Sequence, residues 1–295
     1  MGQLSQVVLD GIVLGGFYAL VAQGLSLVFG VMGVLNLAHG ECVLIGAYLA
    51  WTAQHYLGVD PLIALPVIMA LGFGFGWVLC RTLVIRVVER PPLMSLLLTF
   101  GIGAVAQGVL LKLFSSTPRV TTTGYSADVV SIFGLTIPTP RAFMLLGAVV
   151  ILVLTWALLN RTRVGRSIQA AAQNKAAARV VGIDIAAVYA IAFGIGIALV
   201  FAGGTLLGSA QGFYPFLGPL LTMKAFAIVV LGGVGRMTGT VLAAMVVGLI
   251  ETLLASYVPS VGTGLGIAAA FILVVVVLVV RPNGISGGKQ VTAGV

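Results

Sequence analysis

Charge is what this sequence lacks. Only 7% of its 295 residues are Asp, Glu, Lys or Arg, against about 25% in a soluble globular protein. A chain so poor in charge cannot cover a water-facing surface. With 60% hydrophobic residues and a mean hydropathy of +1.20, its natural solvent is the bilayer.

Other scarcities narrow the function. Seven acidic residues leave little for hydrolysis, and neither a Ser-His-Asp set nor a pair of catalytic carboxylates is recognisable. The two histidines, His39 and His55, sit at opposite ends of one apolar segment, so no metal site is expected. The two cysteines, Cys42 and Cys80, have neither metal spacing nor a disulfide framework and read as buried free thiols. No Lys or Arg precedes Arg81, so a signal peptide's positive n-region is missing. Gln6 stands where a myristoylation signal needs a hydroxyl. The net charge of +8 does not point to nucleic acid, because the basic residues form short clusters beside apolar runs without interleaved aromatics.

What is present is a series of apolar runs, at about 7–29, 35–55, 62–82, 93–113, 142–160, 186–208, 220–233, 238–257 and 264–281. They are too long and too little alternating for barrel strands. The sequence predicts an all-α polytopic membrane protein with eight to nine membrane segments, some of them helices interrupted by glycine. A single transmembrane domain over residues 1–295 is expected. The second and seventh runs are short or broken by glycine.

Lys and Arg set the orientation. Arg81, Arg86, Arg90, Arg161, Arg163, Arg166, Lys175, Arg179, Arg236, Arg281 and Lys289 fall on one side of these spans. Lys112, Arg119, Arg141 and Lys224 fall on the other. The positive-inside rule makes the first side cytoplasmic, with the C-terminus inside and the uncharged start outside. Residues 114–141 then form a periplasmic loop rich in Ser, Thr and Pro, with room for a small hairpin at Gly124 or Gly134. Residues 161–184 form a cytoplasmic segment whose Ala, Gln and Arg content favours helix. Val164, Ile168, Ala171, Ala178 and Gly182 fall near one of its faces, and Asp184 reads as the N-cap of the next span.

Three motifs stand out. In Asn36-Leu37-Ala38-His39-Gly40-Glu41, polar and ionisable groups interrupt an apolar run. Such groups at membrane depth face protein or water. Two readings remain open: a broken helix lining a solute path, or internal packing. In Leu231-Gly232-Gly233-Val234-Gly235-Arg236-Met237-Thr238-Gly239, the glycines superficially suggest a phosphate cradle. The βαβ context that a cradle needs is missing, so chain breakage and close helix approach explain them better. Gly33 to Gly40 and Gly232 to Gly239 also look like an internal echo, of the kind that marks transport sites. The third motif runs from Gly165 to Asp184. Its small residues suit docking into a partner's groove, and a solvated loop helix is the alternative. Asp10 and Glu251, inside spans, read as structural hydrogen-bonding groups or as proton-coupling groups.

At these residues the chain resembles the branched-chain amino-acid ABC transporter permeases of the LivH type. The segments GVMGVLNLAHGECVLIGAYLA, TRVGRSIQAAAQNKAAARVVGID and VLGGVGRMTGTVLAAMVVGLIE carry the resemblance, which covers nearly the whole chain. It implies an inner-membrane heterodimer with a second homologous permease, two ABC ATPase subunits and a periplasmic solute-binding protein. ATP and Mg would be used by the ATPase subunits, and this chain would bind no cofactor and catalyse no covalent chemistry. Alternating access is the mechanism implied. Urea, short amides and other small carboxylates stand beside branched-chain amino acids as solutes, and an ion-coupled secondary transporter is the rival class.

Asn36, His39, Gly40, Glu41, Gly232, Gly233 and Gly235 are the candidate path residues. Arg163, Gly165, Arg166, Asn174, Ala176, Ala177, Ala178 and Gly182 are the candidates for ATPase coupling. The family's Glu-Ala-Ala-x-x-x-Gly loop motif has Ala176 where Glu is expected, followed by Ala177, Ala178 and Gly182.

Overall fold

The computed structural model describes residues 2–132 and 134–257, with isolated residues between 268 and 279. The helices in these residues are α1 (Gly2–Met32), α2 (His39–Leu57), α3 (Pro61–Thr82), α4 (Pro92–Phe114) and α5 (Thr139–Arg161). They continue with α6 (Arg163–Gln173), α7 (Lys175–Val180), α8 (Ile185–Ala210), α9 (Gly218–Gly232) and α10 (Met237–Tyr257). A hairpin of β1 (Val129–Ile132) and β2 (Leu135–Pro138) lies between α4 and α5, with Gly134 at φ +79°.

Local chemistry sets the helix ends. The Asp60 side chain accepts from Leu62 N–H ahead of Pro61 at the start of α3. Asp184 accepts from Ala186 and Ala187 at the start of α8, the capping role expected for it. The segment 161–184 is helical but divided. Thr162 caps α6, and Asn174, in extended backbone, caps α7 by accepting from Ala177 N–H. Asn174 competes for the backbone and favours a cap over a helix interior.

Seven helical stretches are long and apolar enough to cross a membrane. The helix α2, which carries His39, Glu41, Gln54 and His55, is not among them. The expected last segment, 264–281, lies mostly outside the described residues, as do Arg281 and Lys289.

Two faces can be distinguished. On one, Lys175 and Arg179 of α7 bond Glu89 in the α3–α4 connection, and Gly30 near the end of α1 packs on Gly235. On the other, Asp10 meets Arg141, Gln54 meets the Thr122 carbonyl, and Arg119 pairs with Phe213.

The run α1-α2-α3 and the run α8-α9-α10 have the same order: a long buried helix, a break, a shorter helix, then a third span. Their directions through the protein are opposite. Their packing is reciprocal, since α3 lies along α8 as α10 lies along α1. Glycines allow both close approaches: Gly15 and Gly248 bring α1 onto α10, and Gly76 and Gly194 bring α3 onto α8. The related breaks are therefore 33–38 and 211–217. This corrects the echo between residues 33–40 and 232–239, which matches an α1–α2 break to an α9–α10 turn. A glycine-rich membrane chain produces such matches by composition.

Lys224 also needs correction. It does not lie on the outer side. It is 7% exposed inside the helix packing, where its ammonium meets Glu251 Oε1 at 2.7 Å and the Tyr18 hydroxyl at 2.6 Å. Tyr18 in turn donates to Glu251 Oε2 at 2.9 Å. Glu251 is thus paired with a buried cation. Cys42 and Cys80 are buried free thiols, as expected.

Candidate functional site

The helix α1 ends at Met32, and Gly33 turns the chain with φ +67°. A residue with a Cβ is strained there, which explains glycine at the break. The following residues do not leave along the surface. His39 Nε2 donates to the Val21 carbonyl at 2.9 Å, so it carries the proton, since a carbonyl oxygen only accepts. Val21 lies 11 residues before the end of α1, or roughly 16 Å inside it at 1.5 Å per residue. Residues 33–38 therefore fold back into the interior, and α2 begins at depth.

The helix α9 begins at the same depth from the opposite face. Phe213 pairs with Arg119, and the chain then descends to Gly218, which packs against the Glu41 carboxylate. A Cβ on Gly40 would fall on the Gly218 carbonyl oxygen. The two helix starts thus touch backbone to backbone.

Two threonines tie down the returning chain. Thr99 of α4 accepts from Leu37 N–H at 3.1 Å and lies 3.0 Å from the Leu35 carbonyl. Thr222 of α9 accepts from Gly40 N–H at 2.8 Å and donates towards the Leu37 carbonyl at 3.3 Å. Asn36 is buried, and its Oδ1 accepts from Ala38 N–H at 3.1 Å. These bonds satisfy buried backbone groups between α1 and α2 that no helix pairs.

Two buried atoms at this junction have no partner among the described residues: His39 Nδ1 and Glu41 Oε2. Glu41 borders a cavity of about 230 Å³, walled also by Leu37, Phe100, Gln107, Thr222 and Met223. It is a polar notch set in an apolar wall, since Phe100 and Met223, which line it, are both more than half exposed.

The structure thus brings Asn36, His39, Gly40 and Glu41 together. It does not bring Gly232, Gly233 and Gly235 to them. Those three lie at the other end of the 15-residue α9, roughly 20 Å away. Gly232 packs on Gly239, and Gly235 packs on Gly30. Sequence reading missed Thr99, Thr222 and Gly218. A threonine within an apolar run gives no signal until the segment it bonds is known.

The candidate coupling residues lie together on the α6–α7 side. Arg163, Arg166, Asn174, Ala176, Ala177 and Gly182 are exposed, and Gly165 and Ala178 are buried. Of the face expected to pack, Ile168, Ala171 and Ala178 are buried, while Val164 and Gly182 are exposed. A Cβ on Gly165 would strike the Leu158 and Leu159 carbonyls, so α6 leaves α5 at an angle only glycine permits. Val180 and Val181 stand 86% and 75% exposed at the end of α7, an unusual position for valine pairs in water. No cluster of three or more metal-ligating side chains occurs among the described residues.

These features define a polytopic helical membrane protein with two helix starts meeting in its interior. Residues 7–280 match the family described as branched-chain amino acid transport system / permease component. The chain is 30% identical to the high-affinity branched-chain amino acid transport system permease protein LivH of Escherichia coli (strain K12), over 97% of this chain and 96% of that protein. It is 29% identical to the corresponding protein BraD of Pseudomonas aeruginosa, with the same coverage. The ribose import permease protein RbsC of Escherichia coli is also 29% identical, over 79% of this chain and 73% of its own. No solved structure matches. The chain belongs to the branched-chain amino acid transport system permease family.

Proposed function

We propose that this chain is one permease subunit of an ATP-driven importer, moving branched-chain amino acids across the bacterial inner membrane by alternating access. Its partners are a second homologous permease, two ABC ATPase subunits and a periplasmic solute-binding protein. ATP and Mg act in the ATPase subunits. The observation that carries this reading is the buried polar junction of α2 and α9 within a chain of this family. An ionisable group at membrane depth faces protein or a wet cavity, not lipid. The open side of the Glu41 notch therefore faces the second permease, and the route runs between the two.

Motion enters at α6 and α7. The α7 residues Lys175 and Arg179 hold Glu89, which precedes α4, and Thr99 of α4 holds the returning chain at Leu35 and Leu37. A displacement of α7 by the ATPase thus reaches the junction through one helix. Such a device needs two packings that bind the partners differently. Gly232, Gly233 and Gly235 serve as the hinge between α9 and α10.

The ion-coupled alternative is weakened at Glu251, because the Lys224 ammonium already occupies it. The deciding experiment is leucine uptake into proteoliposomes holding the two permeases and two ATPase subunits, with the binding protein and leucine on one side and ATP on the side of the ATPases. Uptake that requires ATP and survives an uncoupler supports the importer. Uptake that ignores ATP and collapses with the uncoupler overturns it.

A further inference from the structure

The unpartnered Glu41 oxygen gives the route its chemistry. We propose that Glu41 receives the positively charged amino group of the solute, in the cavity between α2, α4 and α9. The inference rests on the reading of that cavity as part of the route.

Glu41 is 4% exposed, and its carboxylate lies between Gly103 of α4 and Gly218 of α9. Both positions lack a side chain, so no side chain of either separates the carboxylate from the cavity that Glu41 and Gly103 line. None of the four ion pairs among the described residues includes it. Lys224 is committed to Glu251 and Tyr18, and His39 Nε2 to the Val21 carbonyl. A buried carboxylate with one oxygen left unpartnered is costly, so a cation supplied from outside the chain completes the site.

The helix starts explain how the carboxylate waits. Each of α2 and α9 presents about half a positive charge at its N-terminus. Together they offset part of the cost of burying the carboxylate without bonding Oε2. They also weaken its hold on an arriving ammonium, which a transport site needs in order to release. Leu37, Phe100 and Met223 supply apolar walls for an aliphatic body, and Gln107 and Thr222 supply polar edges. The cavity of about 230 Å³ is smaller than the ~300–1,000 Å³ of a complete small-molecule pocket, as fits a site closed by a second permease. The solute class is a small primary ammonium compound with an aliphatic side chain.

The test uses Ala104→Cys, on the cavity wall, in the assembled importer in proteoliposomes. Its reaction with aminoethyl methanethiosulfonate is compared with that of sulfonatoethyl methanethiosulfonate, each relative to a free thiol in solution. The cation should be favoured at least tenfold, and adding Glu41→Gln should remove most of that preference. In parallel, Glu41→Gln should cut leucine uptake at least tenfold, with Glu41→Asp recovering part of it. Equal preference with Glu and Gln at position 41 overturns the proposal, as does normal uptake by Glu41→Gln. A merely structural carboxylate would affect uptake through misassembly and leave the labelling preference of the assembled fraction unchanged. If the unsubstituted complex carries no amino acid at all, the importer reading fails, while the labelling ratio still reports on the cavity charge.

Discussion

Gly40 of α2 and Gly218 of α9 meet backbone to backbone, and neither position has room for a methyl group. Gly40→Ala must push the helix starts apart and pull Gly40 N–H from Thr222. It is expected to cost at least the ~1–3 kcal/mol of an overpacked core and to abolish transport. Gly74→Ala is the control, since a Cβ there meets open space, and should stay within about 0.5 kcal/mol of the parent. Thermal unfolding of the purified variants in detergent checks both.

Lys224 and Glu251 should behave as a unit. Glu251→Gln leaves a buried ammonium without its counter-charge, and the expected loss is ~3–5 kcal/mol. Adding Lys224→Met should restore most of it, because the cost lies in the orphaned charge. A double variant no more stable than Glu251→Gln would show that the pair does something other than satisfy Lys224.

Glu89 reports on the link between α7 and α4. The Lys175 ammonium, with Arg179 beside it, holds the Glu89 carboxyl below its ordinary range. A depressed carboxylate keeps its contact at neutral pH and through its ordinary range near ~4.3, losing it only as pH falls below that, through the depressed value. Cross-linking between cysteines placed at Val88 and Ala186, which border one cleft, should therefore hold steady from neutral pH down to about 5. Glu89→Lys should weaken the cross-link at neutral pH and uncouple ATP hydrolysis from uptake, with the spans still inserted.

Much of the architecture is legible in the sequence, because lipid demands long apolar runs and reserves charge for their ends. Eight of the expected spans coincide with described helices, and Asp184 and the Gly134 hairpin follow from local chemistry. Depth is not legible. Nothing in residues 33–41 or 211–218 says that each chain returns to the interior and meets the other, because that contact joins residues almost 180 positions apart. Lys224 was misplaced for the same reason: a cation inside a short run reads as a surface marker until Glu251 and Tyr18 are seen beside it. The polar character of Asn36, His39 and Glu41 was visible, but their relation to Thr99, Thr222 and Gly218 was not.

Gly165 tests the coupling side. Gly165→Val would force α6 away from the α5 carbonyls and misdirect α7. Membrane insertion should persist, and co-purification of the ATPase subunits should fall at least severalfold. Unchanged co-purification would place the docking surface elsewhere than α6 and α7.

The most direct measurement is the accessibility of a cysteine at Leu37, on the returning chain at the cavity wall. In the assembled importer, Leu37→Cys should react with a membrane-impermeant thiol reagent applied from one side without nucleotide. Trapping the ATP-bound state should move that reactivity to the other side, and saturating solute delivered by its binding protein should slow it. A cysteine at this position that stays unreactive from both sides in every nucleotide state would contradict a route beside the α2–α9 junction.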